Sequence, residues 1–397
     1  MKSPFSRRRR HLLAALSSAG VLAVLPAYAQ GNAPIRIGIS AEFGMQGSQA
    51  AQSIEKGMLL AIDEITATGG VLGRPLALEK RDDRGVPARG VDNLTELAAL
   101  PDLVAVFCGR FSPVAMEQAP VANRLGVLLL DPWAAADGIV QQPAPNSVFR
   151  LSATDTWAME TLLAHARGRK LERLALMLPN TAWGRSSEAA SLAYAKRSAG
   201  FRLTSYWYNW GDTDFAQRVS QIRNEGAQAL IMVANESEGA LIVKAMAALP
   251  PAQRLPIISH WGIAGGDFAA ASGEALKAVD LVVVQTFSFS GNSGSKAKTV
   301  AAAVNRRFGH EVATLRGQVG FAHAYDLVHL LAIAVRKAGS TQRSAIRDAM
   351  ETLDSHDGLV RSYRKPYDAK DHEALDRSQL FLARFDADGN LRAVNKR

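Results

Sequence analysis

The sequence predicts an α/β protein built from two units, each a parallel sheet with helices on both faces. Three observations carry this. From about residue 34 onward, short apolar runs alternate with stretches of helical spacing. The alternation restarts around Ser147-Val-Phe-Arg-Leu-Ser152, as a second unit would. Most of the apolar runs open into a loop carrying an aromatic or polar side chain. At 397 residues the chain is long enough for two cores.

The N-terminus stands apart from that pattern. Arg7-Arg8-Arg9-Arg10 precedes an apolar run from Leu12 to Leu25, and Ala27-Tyr28-Ala29 offers small residues for cleavage. This is the layout of a secretory signal over residues 1–29, read by the general or the twin-arginine export route. The run is short for a span of about 20 residues. These residues hold five basic and no acidic side chains, so the formal charge of +9 falls to +4 without them. No basic stripe is interleaved with aromatics, so nucleic acid is not an expected partner. Cys108 is the single cysteine, which excludes an internal disulfide.

In order, Pro34–Ser40 reads as the first strand and the loop Ala41–Gly47 follows it. A helix runs from about Ala50 to Thr66 and stops at Gly69-Gly70. Leu76–Lys80 is the second strand, and a helix over Val91–Ala99 leads to the third, Leu103–Phe107. Ser112-Pro113 then supplies a helix start, with a hydroxyl placed to cap. Gly126–Leu130 is a fourth strand, ending at Asp131-Pro-Trp-Ala-Ala135. In the second unit, strands fall at Leu174–Leu178, Ser205–Trp210, Ala229–Val233, Pro256–Trp261 and Leu281–Gln285. The remainder is mostly helical, over Ser295–Phe308, Val319–Ala338 and about Gln342–Leu353. Gln379–Phe385 closes the chain as an edge strand turning at Asp386–Gly389.

No catalytic constellation stands out. The eight histidines are scattered, and no nucleophile elbow, Walker loop or dinucleotide fingerprint falls where a strand meets a helix. What recurs is the strand-end loop. The first unit offers Phe43 and Gln46, then Arg110 and Ser112, then Trp133, Ala134 and Ala135. The second offers Trp183, Glu236 and Glu238, His260 and Trp261, and Phe287. The carboxyl ends of parallel strands form the binding edge of such sheets. If the two edges face each other, these residues line one cleft. Backbone N–H groups and Ser112 would take a carboxylate there, and Glu236 or Glu238 would meet an ammonium group. No metal or cofactor is expected.

Several of these segments resemble the branched-chain amino-acid type of periplasmic substrate-binding protein of ABC transporters. They are Ile35-Arg-Ile-Gly-Ile39, Gly57-Met-Leu-Leu-Ala-Ile-Asp-Glu-Ile65, Gly69-Gly-Val-Leu-Gly-Arg-Pro-Leu76, Arg81-Asp-Asp83, Ala119–Val127, Asp214-Phe215 and Ala324–Ala332. The resemblance implies the type I periplasmic binding fold: two doubly wound parallel-sheet lobes joined by three crossover strands, here near Leu151, Phe287 and Asp357. Lobe I would comprise residues 30–151 and 288–357, and lobe II residues 152–287 and 358–397. It implies a monomeric periplasmic receptor, not an enzyme, that carries a small carboxylate-bearing ligand to an inner-membrane permease. It also implies that Ser112 and the Trp133–Ala135 turn hold the carboxylate and that Trp183 covers the ligand. The turn departs from the family's usual Ser-Pro-Ser-Ala-Thr at Trp133 and Ala135, so aromatic acids, amides or another amino acid stay open as ligands. A ligand sensor of the same fold and an exported α/β enzyme are the alternative readings. The enzyme requires His260 bonded to a carboxylate and facing a nucleophile.

Overall fold

The computed structural model describes residues 33–394, and the expected signal segment lies outside them. The first sheet is wholly parallel, in the order β2-β1-β3-β4-β5. Its strands are β1 (Ile35–Ala41), β2 (Leu76–Asp82), β3 (Leu103–Cys108), β4 (Leu128–Asp131) and β5 (Val148–Arg150). Every residue of β3 and β4 is buried, which is why both read as unbroken apolar runs instead of alternating ones. Helices α1 (Ala50–Ala67), α2 (Pro87–Ala98) and α3 (Ser112–Leu125) connect the early strands. Helix α2 starts four residues before its expected start, with Pro87 at its first turn. Helix α3 ends at Gly126, which sits at φ 61°, a left-handed cap that glycine adopts without strain.

The second sheet has the order β14-β13-β10-β9-β8-β6-β7. Strands β6 (Arg173–Pro179), β7 (Arg202–Tyr208), β8 (Ala229–Met232), β9 (Ile257–Ser259) and β10 (Leu281–Gln285) are parallel. Between them run α4 (Asp155–Gly168), α5 (Ala182–Arg197), α6 (Ala216–Asn224), α7 (Glu236–Ala248), and the short α8 (Phe268–Ser272) and α9 (Glu274–Lys277). Thr154 and Thr181 cap α4 and α5 through their hydroxyls. Strand β7 ends at Tyr208, two residues before the expected end, and Trp210 leaves the sheet for the loop.

After β10 the chain forms α10 (Ser295–Phe308), α11 (Gln318–Ala338) and α12 (Arg343–Met350). Helix α11 packs along α1 on the first sheet. Tyr325 donates to Glu64 at 2.5 Å, and Arg343 donates to the Leu103 and Ala98 carbonyls. The hairpin of β11 (Ser355–Asp357) and β12 (Ser362–Arg364) follows. Asp326 of α11 pins the chain just after β11, accepting from the Leu359 and Val360 N–H groups and the Tyr363 hydroxyl. Finally β13 (Phe381–Phe385) and β14 (Leu391–Ala393) join the second sheet antiparallel, as the alternating C-terminal pattern suggests. The chain therefore passes between the two sheets three times.

Candidate functional site

A cavity lies where the carboxyl ends of the two sheets meet. It is lined from the first sheet by Arg110, Phe111, Ser112, Trp133 and Ala135, and from the second by Trp183, Trp210, Asn235, His260, Trp261 and Gly262. Each lies in the loop or the first helical turn directly after a parallel strand: β3, β4, β6, β7, β8 or β9. The open space is about 10 Å³, on the order of one water.

The turn after β4 is held by its own side chains. Asp131 Oδ1 accepts from the N–H groups of Trp133 (2.9 Å) and Ala134 (2.7 Å). Ser112 Oγ accepts from those of Ala135 and Ala136, both at 3.2 Å. Four successive N–H groups are thus satisfied internally, and the expected backbone cradle for a carboxylate is already filled. Ser112 is the first residue of α3, not its cap; the cap position is Phe111 and no side chain bonds there. Its hydroxyl braces the neighbouring turn, and that leaves its own proton to donate. Arg150, fully buried, anchors the same turn from behind. It donates to the carbonyls of Ala134 and Ala136 and makes a two-pronged pair with Glu373. Burial pushes the Asp131 carboxyl up to about 7 despite Arg150 and the two N–H donors.

The Trp133 indole is 2 % exposed and packs on the start of α11. A Cβ on Gly320 would sit 2.3 Å from the indole, so only glycine fits there. His323 fixes the base of the turn, its Nδ1 2.8 Å from the Pro132 carbonyl oxygen and its Nε2 2.9 Å from Thr286 Oγ1. Burial lowers the His323 pKa to about 4, so the ring is neutral and acts through these two bonds.

Across the cavity, Arg110 makes a buried two-pronged pair with Glu236 at the start of α7, at 2.6 and 2.7 Å. The pair joins a loop of the first sheet to one of the second. Each Glu236 oxygen accepts one guanidinium hydrogen bond, so the charge that could meet a ligand's ammonium is already balanced within the protein. Arg110 Nε lies 3.4 Å from Glu42 Oε1. Burial pushes Glu42 up to about 7, more than Arg110 pulls it down. Gly265 lets the second-sheet loop close over Arg110; a Cβ there would lie 2.1 Å from the guanidinium.

His260 is fully buried, with Nε2 3.1 Å from Asp155 Oδ1. The same oxygen accepts from Trp183 Nε1 (3.2 Å) and Ser187 Oγ (3.1 Å). Trp183 packs edge-on against His260 at 5.0 Å between ring centres, and Trp261 leans on its other side at 4.2 Å. Three buried polar atoms on residues lining the cavity have no hydrogen-bond partner: Arg110 Nε, Trp210 Nε1 and His260 Nδ1. Phe111 and Trp210 meet across the two sheets at 4.9 Å.

Of the thirteen residues expected in the cleft, the cavity gathers Arg110, Ser112, Trp133, Ala135, Trp183, His260 and Trp261. Glu236 stands just behind Arg110. Phe43 lies under the Lys80 ammonium, and Gln46 is exposed on the surface. Ala134 faces the core between α3 and β4. Glu238 points back along α7 to accept from the Gly211 N–H. Phe287 lines a separate small cavity with Gln285, Ser288 and Gly317, and stands edge-on to Phe289. Sequence reasoning missed Phe111, Trp210, Asn235 and Gly262. Trp210 was placed in a strand; the Asn209-Trp-Gly-Asp212 run was the signal that the strand had already ended.

Residues 34–390 match the family model described as periplasmic binding protein. The chain belongs to that family. The Leu/Ile/Val-binding protein BraC3 of Rhizobium johnstonii is 25% identical over 327 residues, which cover 81% of this chain and 85% of that one. Among solved structures, the branched-chain amino-acid substrate-binding protein LivJ of Streptococcus pneumoniae, in complex with isoleucine, superposes with a TM-score of 0.75 at 20% identity, covering 91% of this chain and 98% of that one. A solute-binding protein of an ABC transporter from Rhodopseudomonas palustris, in complex with 3,4-dihydroxybenzoic acid, gives a TM-score of 0.75 at 17% identity, with 91% and 96% covered. These neighbours share this chain's fold, the type I periplasmic binding fold.

Proposed function

We propose that this family member is the exported, monomeric solute receptor of an ABC importer, that it delivers its ligand to an inner-membrane permease, and that the ligand is a small, flat acid without an ammonium group. The observation that carries the ligand class is the paired Glu236. Its charge is balanced by Arg110, so a ligand ammonium would enter an aromatic-walled cavity with no unbalanced carboxylate in its lining. Four tryptophans, a phenylalanine and a histidine instead offer aromatic surface to a flat apolar body. That the same fold holds a dihydroxybenzoic acid in a neighbour supports the reading. The lobes, taken as residues 30–151 with 288–357 and 152–287 with 358–397, would part at the three crossovers to admit the ligand. They would close on it through contacts made only in the closed state.

The His260–Asp155 pair also suits a hydrolase. That reading needs a hydroxyl against the free imidazole nitrogen. Ser112 carries the one hydroxyl lining the cavity among the described residues, its oxygen receives two backbone N–H bonds, and His260 Nδ1 has no partner. The relay is not assembled, and the receptor reading stands.

The test is a melting-temperature and tryptophan-fluorescence titration of the chain from residue 30 against benzoate, hydroxybenzoates, benzamide, leucine and phenylalanine. One or more aromatic acids should raise the melting temperature while the amino acids do not. Tight leucine binding, or no response to any of these acids, would overturn the ligand class.

A further inference from the structure

Asp155 Oδ1 accepts from three donors around it, the His260, Trp183 and Ser187 side chains. An oxygen so placed fixes Nε2 as the proton-bearing nitrogen of His260. Nδ1 is then left without a partner on a ring that lines the cavity and is wholly buried. A buried polar nitrogen with nothing opposite it is costly until a ligand group meets it.

The charges around the ring decide which group that is. Arg110, from the loop after β3, is matched by Glu236 of α7 and flanked by Glu42 of the loop after β1. Asp155 of α4 is in contact, and Asp137, from the first lobe's side, interacts electrostatically with Asp155 and with Arg150. From α5 and from the loop after β9, only Trp183, Ser187 and Trp261 face the ring. Among the described residues lining the cavity, Arg110 is the one permanent cation; its charge is balanced by Glu236 and Glu42, and its Nε, without a hydrogen-bond partner, faces Glu42 at 3.4 Å. A carboxylate entering here has no free positive charge to meet unless one is made.

We propose that the ligand carboxylate binds against His260 Nδ1 and that the imidazole takes up one proton from solvent as it does so. Asp155 holds the second nitrogen of the resulting imidazolium. The balance is simple: neutral imidazole, ligand carboxylate and one proton give a carboxylate–imidazolium–carboxylate row, and no covalent bond changes. Ser112 Oγ–H and Trp210 Nε1–H are the neutral donors available to the carboxylate's remaining lone pairs. This deepens the acid-receptor reading above and rests on it.

Calorimetric titration of the chain from residue 30 with benzoate at pH 8, in Tris and in phosphate, measures the proton directly. The two apparent enthalpies should differ by the buffers' ionisation enthalpies times close to one proton taken up. Affinity should weaken about tenfold per pH unit where the free imidazole is neutral. His260→Gln should abolish the uptake and flatten the pH profile of benzoate binding. If that variant does not fold, the two-buffer experiment on the unaltered chain decides alone. Benzoate binding with no buffer dependence overturns the proton uptake and leaves the acid receptor intact. Failure of benzoate and every other aromatic acid to bind overturns both.

Discussion

The two walls of the cavity are built on opposite principles. On the first lobe, the turn Asp131–Ala136 has its N–H groups bonded to Asp131 and Ser112 and its carbonyls bonded to Arg150. Its backbone groups are already paired, and its one buried orphan is an acceptor, Asp131 Oδ2, which offers a carboxylate nothing. On the second lobe, His260 and Trp210 each hold a buried nitrogen without a partner. A polar group already satisfied gains little from a ligand, whereas an unsatisfied one gains a full hydrogen bond. The difference assigns shape to the first lobe, through Trp133 and the braced turn, and polar recognition to the second. Arg110 crosses from one to the other and carries the charge that a ligand ammonium would otherwise bring.

The largest test of that division is Arg110→Met. It leaves Glu236 and Glu42 buried near each other without their cation, and should cost about 3–5 kcal/mol in denaturant unfolding. The double variant Arg110→Met/Glu236→Leu should recover most of the loss; if it does not, the pair is more than a charge balance.

Glu42 comes next. Its carboxyl is raised from 4.5 to about 7 by burial, so between those values the folded chain holds a proton that the unfolded chain has lost. Stability from this group is therefore greatest at low pH and falls as pH rises through that window. Glu42→Gln should remove that slope, on the order of 1–3 kcal/mol, and melt higher than the unaltered chain at pH 8 relative to pH 5. An unchanged slope would assign the pH dependence elsewhere, with Asp131 the next group to test.

Ser112→Ala strips the acceptor from two N–H groups of the first-lobe wall. Chemical denaturation should show a loss of about 1–3 kcal/mol, with a smaller change in ligand affinity. An affinity loss larger than the stability loss would move recognition back to the first lobe. The smallest expected effect is on the second lobe. Trp210→Phe keeps the ring and removes the N–H, so affinity should fall by about 0.5–1.5 kcal/mol while the melting temperature holds.

The architecture was legible because buried parallel strands announce themselves as apolar runs, as Leu103–Cys108 and Leu281–Gln285 do, and because the loop after each such strand lies at the binding edge. That logic reached Trp183, His260 and Trp133 from sequence. It did not reach what those groups bond to. Arg110 and Glu236 are 126 residues apart, and His260 and Asp155 are 105 apart. Such pairings depend on how the lobes and crossovers meet, which no local pattern records. The anion cradle was misjudged for a nearer reason. A turn that follows a strand and precedes a helix offers N–H groups in principle, yet Asp131, at the end of β4, reaches forward two and three residues and takes them. The aspartate was visible in the sequence, but its side-chain direction was not.

The most direct measurement of the two-wall account is the amide and side-chain nitrogen spectrum of the labelled chain during titration with benzoate. The account predicts that the Trp210 indole and His260 imidazole signals move most, while the amides of Trp133, Ala134, Ala135 and Ala136 stay near their ligand-free positions. Large shifts in those four amides, with Trp210 and His260 unmoved, would contradict it.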